Sequence, residues 1–207
     1  MNVGNKISPI YTAAIVIVHG ESENIIIKHI KSKLRLKIHI HKGTTSIQIN
    51  GLLKELNTYF KNISQLKKSG LDLNIDKKSG KIINEFCIFT FMDTDDCTEE
   101  TKRKYIDGSL FSGYALKEYV KPIYSIPDLE EVLYKSRLIP KKYNDSEKVK
   151  EYGKWFPISR EPHSDSKMPI KDMEKMCGAL VDNKQTNLDE LLKYCIEQAK
   201  KNEAKRR

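Results

Sequence analysis

Two short runs of apolar residues stand out from an otherwise mixed chain. Thr12 to Val18 (TAAIVIV) and Phe86 to Met92 (FCIFTFM) are continuous, rich in β-branched and aromatic residues, and bounded by polar positions. Continuous runs of this length predict strands buried on both faces, as in a parallel sheet. A third run, Leu36 to His41 (LKIHIH), alternates and reads as a strand whose His39 and His41 share one face, taken as the solvent side. Tyr119 to Ile126 (YVKPIYSI) reads as a fourth.

Between these runs the period changes to that of a helix. Ile26, Ile27, Ile30 and Leu34 recur at helical spacing after Ser22, which is placed to cap the helix. The period resumes from Ile49 through Leu66 as one helix, and Gly70 to Gly80 reads as a small hairpin. Thr98 opens a helix that ends near Gly108, and Pro127-Asp128 opens another over DLEEVLYKSRL. Strand and helix alternate, which predicts an α/β fold with a mostly parallel four-stranded sheet flanked by helices. Residues 1–140 form this α/β domain. Residues 141–207, with helical patterns near 169–181 and 187–203, form a helical C-terminal extension packed on the core.

The chain of 207 residues has the length of one domain. No apolar run reaches the ~18 residues of a membrane span, and the N-terminus lacks a signal-peptide pattern. The reading is a soluble, cytoplasmic protein. Its cysteines, Cys87, Cys97, Cys177 and Cys195, have no metal-ligand spacing and read as free thiols. Net charge is +9, and it is unevenly spread: residues 1–80 carry 13 Lys/Arg against 5 Asp/Glu, residues 81–207 carry 24 against 23. A basic half beside a balanced one favours an anionic partner, DNA or RNA first. A generally lysine-rich, well-solvated surface gives the same count.

In open α/β sheets functional groups collect beyond the carboxyl ends of the strands. The first strand ends in His19-Gly20-Glu21-Ser22-Glu23 and the third in Asp93-Thr94-Asp95-Asp96. Asp93 and Asp95 form a DxD pair able to face one hard cation, Mg²⁺ or Mn²⁺. Turns and helix caps also use Asp at such places. Glu21 and Glu23 add carboxylates to this rim or complement a helix N-terminus, and Glu130 and Glu131 have the same two readings. His19 is a ligand, a proton carrier or a packed polar residue. Lys42, Thr44, Thr45 and Ser46 follow the second strand and are suited to hold a nucleic-acid phosphate. No Walker A, GxSxG, HExxH, GxGxxG or CxxC motif occurs, which removes the usual support for P-loop, serine-hydrolase, zinc-peptidase and dinucleotide chemistry.

The stretches AIVIVHGESE and FCIFTFMDTDD, a strand ending before Gly and a later strand ending in DxD, resemble the TOPRIM domain of topoisomerases, primases and overcoming-lysogenization-defect (OLD) nucleases. YSIPDLEEVL resembles the segment after the fourth strand in OLD-like and RloB-like members. The resemblance covers residues 12–140. It implies Mg²⁺ (or Mn²⁺)-dependent cleavage of nucleic-acid phosphodiesters, with metal ligands at Asp93, Asp95 and Glu130 and catalytic positions at His19, Glu21, Glu23, Asp93 and Asp95. The family's Glu before Gly is His19 here, so the family role of that position does not carry over. The length leaves no room for the ATPase domain of many OLD-like proteins, which implies a separate ATPase subunit, possible oligomers and a role in antiphage defence. The alternative is a non-cleaving nucleic-acid-binding or sensor subunit. A third reading, a phosphatase or nucleotide hydrolase, also uses strand-end aspartates.

Overall fold

The computed structural model describes residues 11–83, 85–158 and 169–206. The strands are β1 (Ala14–Val18), β2 (Ile38–Lys42), β3 (Cys87–Asp93) and β4 (Val120–Ser125). They form one sheet in the order β2-β1-β3-β4, and every pairing is parallel. Helices α1 (Glu21–Leu34), α2 (Ile49–Tyr59), α3 (Ile63–Lys68), α4 (Glu99–Ile106) and α5 (Leu129–Lys135) alternate with the strands. Helices α6 (Asp145–Trp155), α7 (Pro169–Leu180) and α8 (Leu188–Arg206) follow.

The two apolar runs occupy the centre of the sheet, where both faces must be covered. Ala14, Val16 and Val18 of β1, with Phe89 and Phe91 of β3, face a core shared with α1, α5, α6, α7 and α8. Ile15, Ile17, Ile88 and Met92 face the opposite core, beneath α2, α3 and α4. Each Val, Ile, Phe or Met among them, fully buried, contributes roughly 1.5–3 kcal/mol of transfer free energy. Tyr105 anchors α4 to the sheet. Its buried hydroxyl lies 2.9 Å from the Ile123 carbonyl and 3.1 Å from Thr90 Oγ1.

The C-terminal helices complete this core. The segment before α8 also covers the outer edge of β4. Ile126 N–H donates to the Gln185 carbonyl at 2.8 Å, and the Asn187 side chain bonds Tyr124 N–H and the Pro122 carbonyl, both at 3.0 Å. Tyr194 of α8 places its hydroxyl 2.6 Å from the Ala13 carbonyl and 2.8 Å from that of Glu85, at the entrances of β1 and β3. No helix among the described residues is long and apolar enough to cross a membrane. The four cysteines are unpaired.

Four local expectations are corrected. Helix α1 starts at Glu21 with Gly20, not Ser22, as its N-cap, because the Glu23 side chain supplies the acceptor for Gly20 N–H at 2.8 Å. The helical run from Ile49 to Leu66 breaks after Tyr59; Asn62 starts a second helix by accepting from Gln65 N–H at 3.0 Å. The second strand starts at Ile38, because Arg35 takes a left-handed cap (φ 50°) and Leu36 N–H still bonds the Lys31 carbonyl. The small hairpin expected over residues 70–80 is minimal and lies later. A single antiparallel bridge joins Ile75 to Ile82, flanked by Asp76 N–H to the Lys81 carbonyl and Ile83 N–H to the Asn74 carbonyl, both at 2.9 Å. Asp76 Oδ1 accepts from Lys78 and Ser79 N–H in its turn.

Candidate functional site

The strand order places the topological switch point between β1 and β3. From β1 the chain moves to β2 on one side, and from β3 it moves to β4 on the other. The carboxyl ends of these two neighbours therefore open a crevice, the usual ligand position in such sheets. His19 N–H donates to the Phe91 carbonyl at 2.9 Å, which brings the end of β1 against β3.

Glu23 and Asp93 meet at this crevice. Glu23 is only 2% exposed. Its Oε2 is engaged by Gly20 N–H, so the first turn of α1 fixes its position. Asp93 Oδ1 accepts from Leu129 N–H at 2.9 Å, which ties the end of β3 to the start of α5. Burial pushes both carboxyl groups up. Asp93 rises to about 9, from burial first and then from the charge of Glu23, with Asp128 and Asp95 adding. A like charge beside a desolvated carboxyl disfavours its ionisation, so Asp93 keeps its proton unless a counter-charge is present.

Around this pair stand groups from the next two elements. Asp128 caps α5, its Oδ1 accepting from Glu131 N–H at 2.8 Å. Glu130 turns inward. Its Oε1 accepts from Tyr143 N–H at 2.6 Å and its Oε2 pairs with Lys148 of α6 at 3.1 Å. Glu131 turns outward to Lys135 and Lys142. The DxD pair divides. Asp95 is exposed, whereas both carboxylate oxygens of half-buried Asp96 are shielded from solvent and have no hydrogen-bond partner. His19 Nδ1 is shielded and unpartnered in the same way. Burial pushes the Asp96 carboxyl up, and His19 lies near enough to offset part of that rise.

The outer side of the rim is organised differently. Glu21 is held by Lys42 and by Asn24 Nδ2 at 3.0 Å. Partial burial pushes its carboxyl up, but the bonds from Lys42 and Asn24 outweigh this and the net shift is downward. Glu21 thus orients Lys42 and stands apart from the Glu23–Asp93 pair. Thr44, Thr45 and Ser46 are exposed on the loop after β2. They line a cleft of about 300 Å³ together with Lys54 and Tyr59 of α2. Ile47 N–H bonds the His19 carbonyl at 3.0 Å, which fastens this loop to the end of β1. His39 and His41 share a face, but that face is turned to α2 and not to solvent. His41 Nε2 bonds Glu55 at 2.8 Å, and both rings pack on Phe60.

Among the described residues no three His, Cys, Asp or Glu side chains are arranged to hold a metal ion by themselves. The Glu23–Asp93 pair still fits Mg²⁺, which keeps several waters and takes only one or two carboxylates from a protein. Sequence reading gave no role to Asp96, Asp128, Lys148 or Tyr152. Asp96 was legible as the last acid of DTDD. Lys148 and Tyr152 lie four apart on α6, and nothing local distinguishes them from an ordinary amphipathic pair. Comparison with family models, with curated proteins and with solved structures found no match.

Proposed function

We propose that this protein is a TOPRIM-like, Mg²⁺- or Mn²⁺-dependent nuclease acting on the phosphodiesters of DNA or RNA. The observation that carries this reading is the buried Glu23–Asp93 pair at the β1–β3 switch point. Burial raises the proton affinity of both carboxylates, and the charge of Glu23 raises that of Asp93 further, an arrangement that a cation would stabilise. Glu23 and Asp93 would hold the ion, with Asp95, Asp128 and Glu130 as further acidic groups of the rim. A divalent ion there would supply Lewis-acid polarisation of a phosphoryl oxygen and a more acidic water as nucleophile. His19 accepts a proton at Nδ1, and the Asp96 carboxylate stabilises the resulting imidazolium. Lys42 and the hydroxyls of Thr44, Thr45 and Ser46 hold the backbone phosphate beside the cut, and the basic surplus of residues 1–80 draws the polyanion in.

The test is cleavage of plasmid DNA and of single-stranded RNA with Mg²⁺ or Mn²⁺, comparing the parent with Asp93→Asn and Glu23→Gln. Loss of cleavage in both variants, with the melting temperature not lowered, supports the assignment. Equal cleavage by parent and variants refutes it.

A second reading is a nucleic-acid-binding or sensor subunit that does not cut. The observation favouring it is His19, which stands where the resembled family has Glu. Binding that weakens steeply with salt, without cleavage under either metal, selects this reading. A separate ATPase subunit and a place in antiphage defence belong to either reading by analogy alone.

A further inference from the structure

Helix α6 lies outside the strand-and-helix alternation that forms the crevice, yet it packs on α1, whose first turn carries Glu23. Tyr152 is 0% exposed. Its ring is held edge-on by Tyr143 and Phe156, with centroid separations of 6.3 Å and 5.9 Å, so it cannot reach solvent without unpacking α6. Its hydroxyl has no hydrogen-bond partner. Buried hydroxyls are almost always bonded, and one that is not points to a water or ion at the site. Burial first, and then the charges of Glu130, Glu23, Asp93 and Asp128, oppose its ionisation, so it remains a neutral phenol with one proton to give and two lone pairs to offer. Lys148, one turn earlier on α6, bonds Glu130 and acts on Glu23, which fixes α6 against the same carboxylates.

We infer that Tyr152 is a binding residue of this site, its hydroxyl hydrogen-bonded to a water of the hydrated divalent cation held by Glu23 and Asp93. The inference rests on the cation-binding reading above. A hydrated ion brings the polar partner that the phenol lacks, and the closed aromatic surround fixes where that water sits. Groups that orient a metal's outer contacts typically change affinity about 10–100-fold when removed.

The experiment is calorimetric titration of Mn²⁺ into the full chain, compared with Tyr152→Phe and Asp93→Asn, with melting temperatures taken in EDTA. Tyr152→Phe keeps the ring and removes only the unpartnered hydroxyl, so it should melt no lower than the parent in EDTA. Its Mn²⁺ dissociation constant should rise about ten-fold. Unchanged Mn²⁺ affinity in folded Tyr152→Phe, with binding lost in Asp93→Asn, overturns the role of Tyr152 and leaves the carboxylate site standing. No Mn²⁺ binding by the parent overturns both. Should Tyr152→Phe fail to fold, ring-labelled tyrosine resonances in the parent decide. Sub-stoichiometric Mn²⁺ must broaden Tyr152, and a Tyr152 signal that persists at saturating Mn²⁺ refutes the inference.

Discussion

Glu23 in the first turn of α1 and Asp93 at the end of β3 face the same junction, where burial raises the proton affinity of both and the charge of Glu23 raises that of Asp93 further. In the metal-free protein the pair therefore retains protons that the unfolded chain releases near pH 4. The folded state binds more protons than the unfolded state from about pH 4 up to about 9, so stability falls as pH rises through that window. Thermal melts in EDTA between pH 5 and 9 should show this decline, on the order of a few kcal/mol, and Mg²⁺ should reverse it at the alkaline end. A melting temperature that climbs with pH in EDTA contradicts the assignment.

Asp93→Asn keeps an oxygen for Leu129 N–H, so the start of α5 stays capped. It removes the carboxyl that must stay protonated beside Glu23. The variant should be more stable than the parent at pH 8 in EDTA, by about 1–2 kcal/mol. It should lose the part of the pH dependence that Asp93 contributes, keeping the part that burial of Glu23 contributes. Denaturant midpoints at pH 5 and pH 8 read both effects.

Tyr105 supports the sheet below the site. Tyr105→Phe leaves Thr90 Oγ1 and the Ile123 carbonyl short of a buried partner. The cost should be about 1–3 kcal/mol, seen as a lower urea midpoint with an unchanged slope. An unchanged midpoint means that water replaces the hydroxyl.

Gly43 shapes the loop that carries Thr44, Thr45 and Ser46. A Cβ there would stand 2.8 Å from the Thr45 carbonyl oxygen and 2.9 Å from Ile47 Cγ1, too close for either to remain. Gly43→Ala should weaken nucleic-acid binding several-fold at fixed salt and lower the melting temperature modestly, since the loop is at the surface but Ile47, which must shift, is buried. Binding equal to that of the parent in a filter or anisotropy titration removes this loop from the interface.

The central strands were legible because burial on both faces leaves an unbroken apolar signature, and β1 and β3 carry it. Their ends were legible for the same reason, since a polar cluster after such a run must lie at the rim. Glu23 was harder to weigh. A glutamate in a first helical turn normally faces solvent, and only the packing of α1 against the sheet shows it buried. The choice between Asp95 and Asp96 depends on how the turn after β3 directs each side chain, which a DTDD string does not encode. His39 and His41 were assigned to solvent because alternation marks a shared face but not which neighbour covers it; α2 covers this one. Lys148 and Tyr152 reach the crevice through the docking of α6 on α1, a long-range event without a local signature.

The latch made by Tyr194 has a consequence for the order in which the molecule is completed. Its hydroxyl meets the Ala13 carbonyl across 181 positions of sequence and the Glu85 carbonyl across 109. During synthesis β1 and β3 leave the ribosome long before the residue that secures their entrances. In that interval β1 and β3 lack the hydroxyl that joins their entrances, at the edge opposite the crevice. Contacts of such span slow folding and leave apolar edges open meanwhile. A ribosome stalled short of Tyr194 therefore holds a chain whose two central strands are paired without this long-range tie.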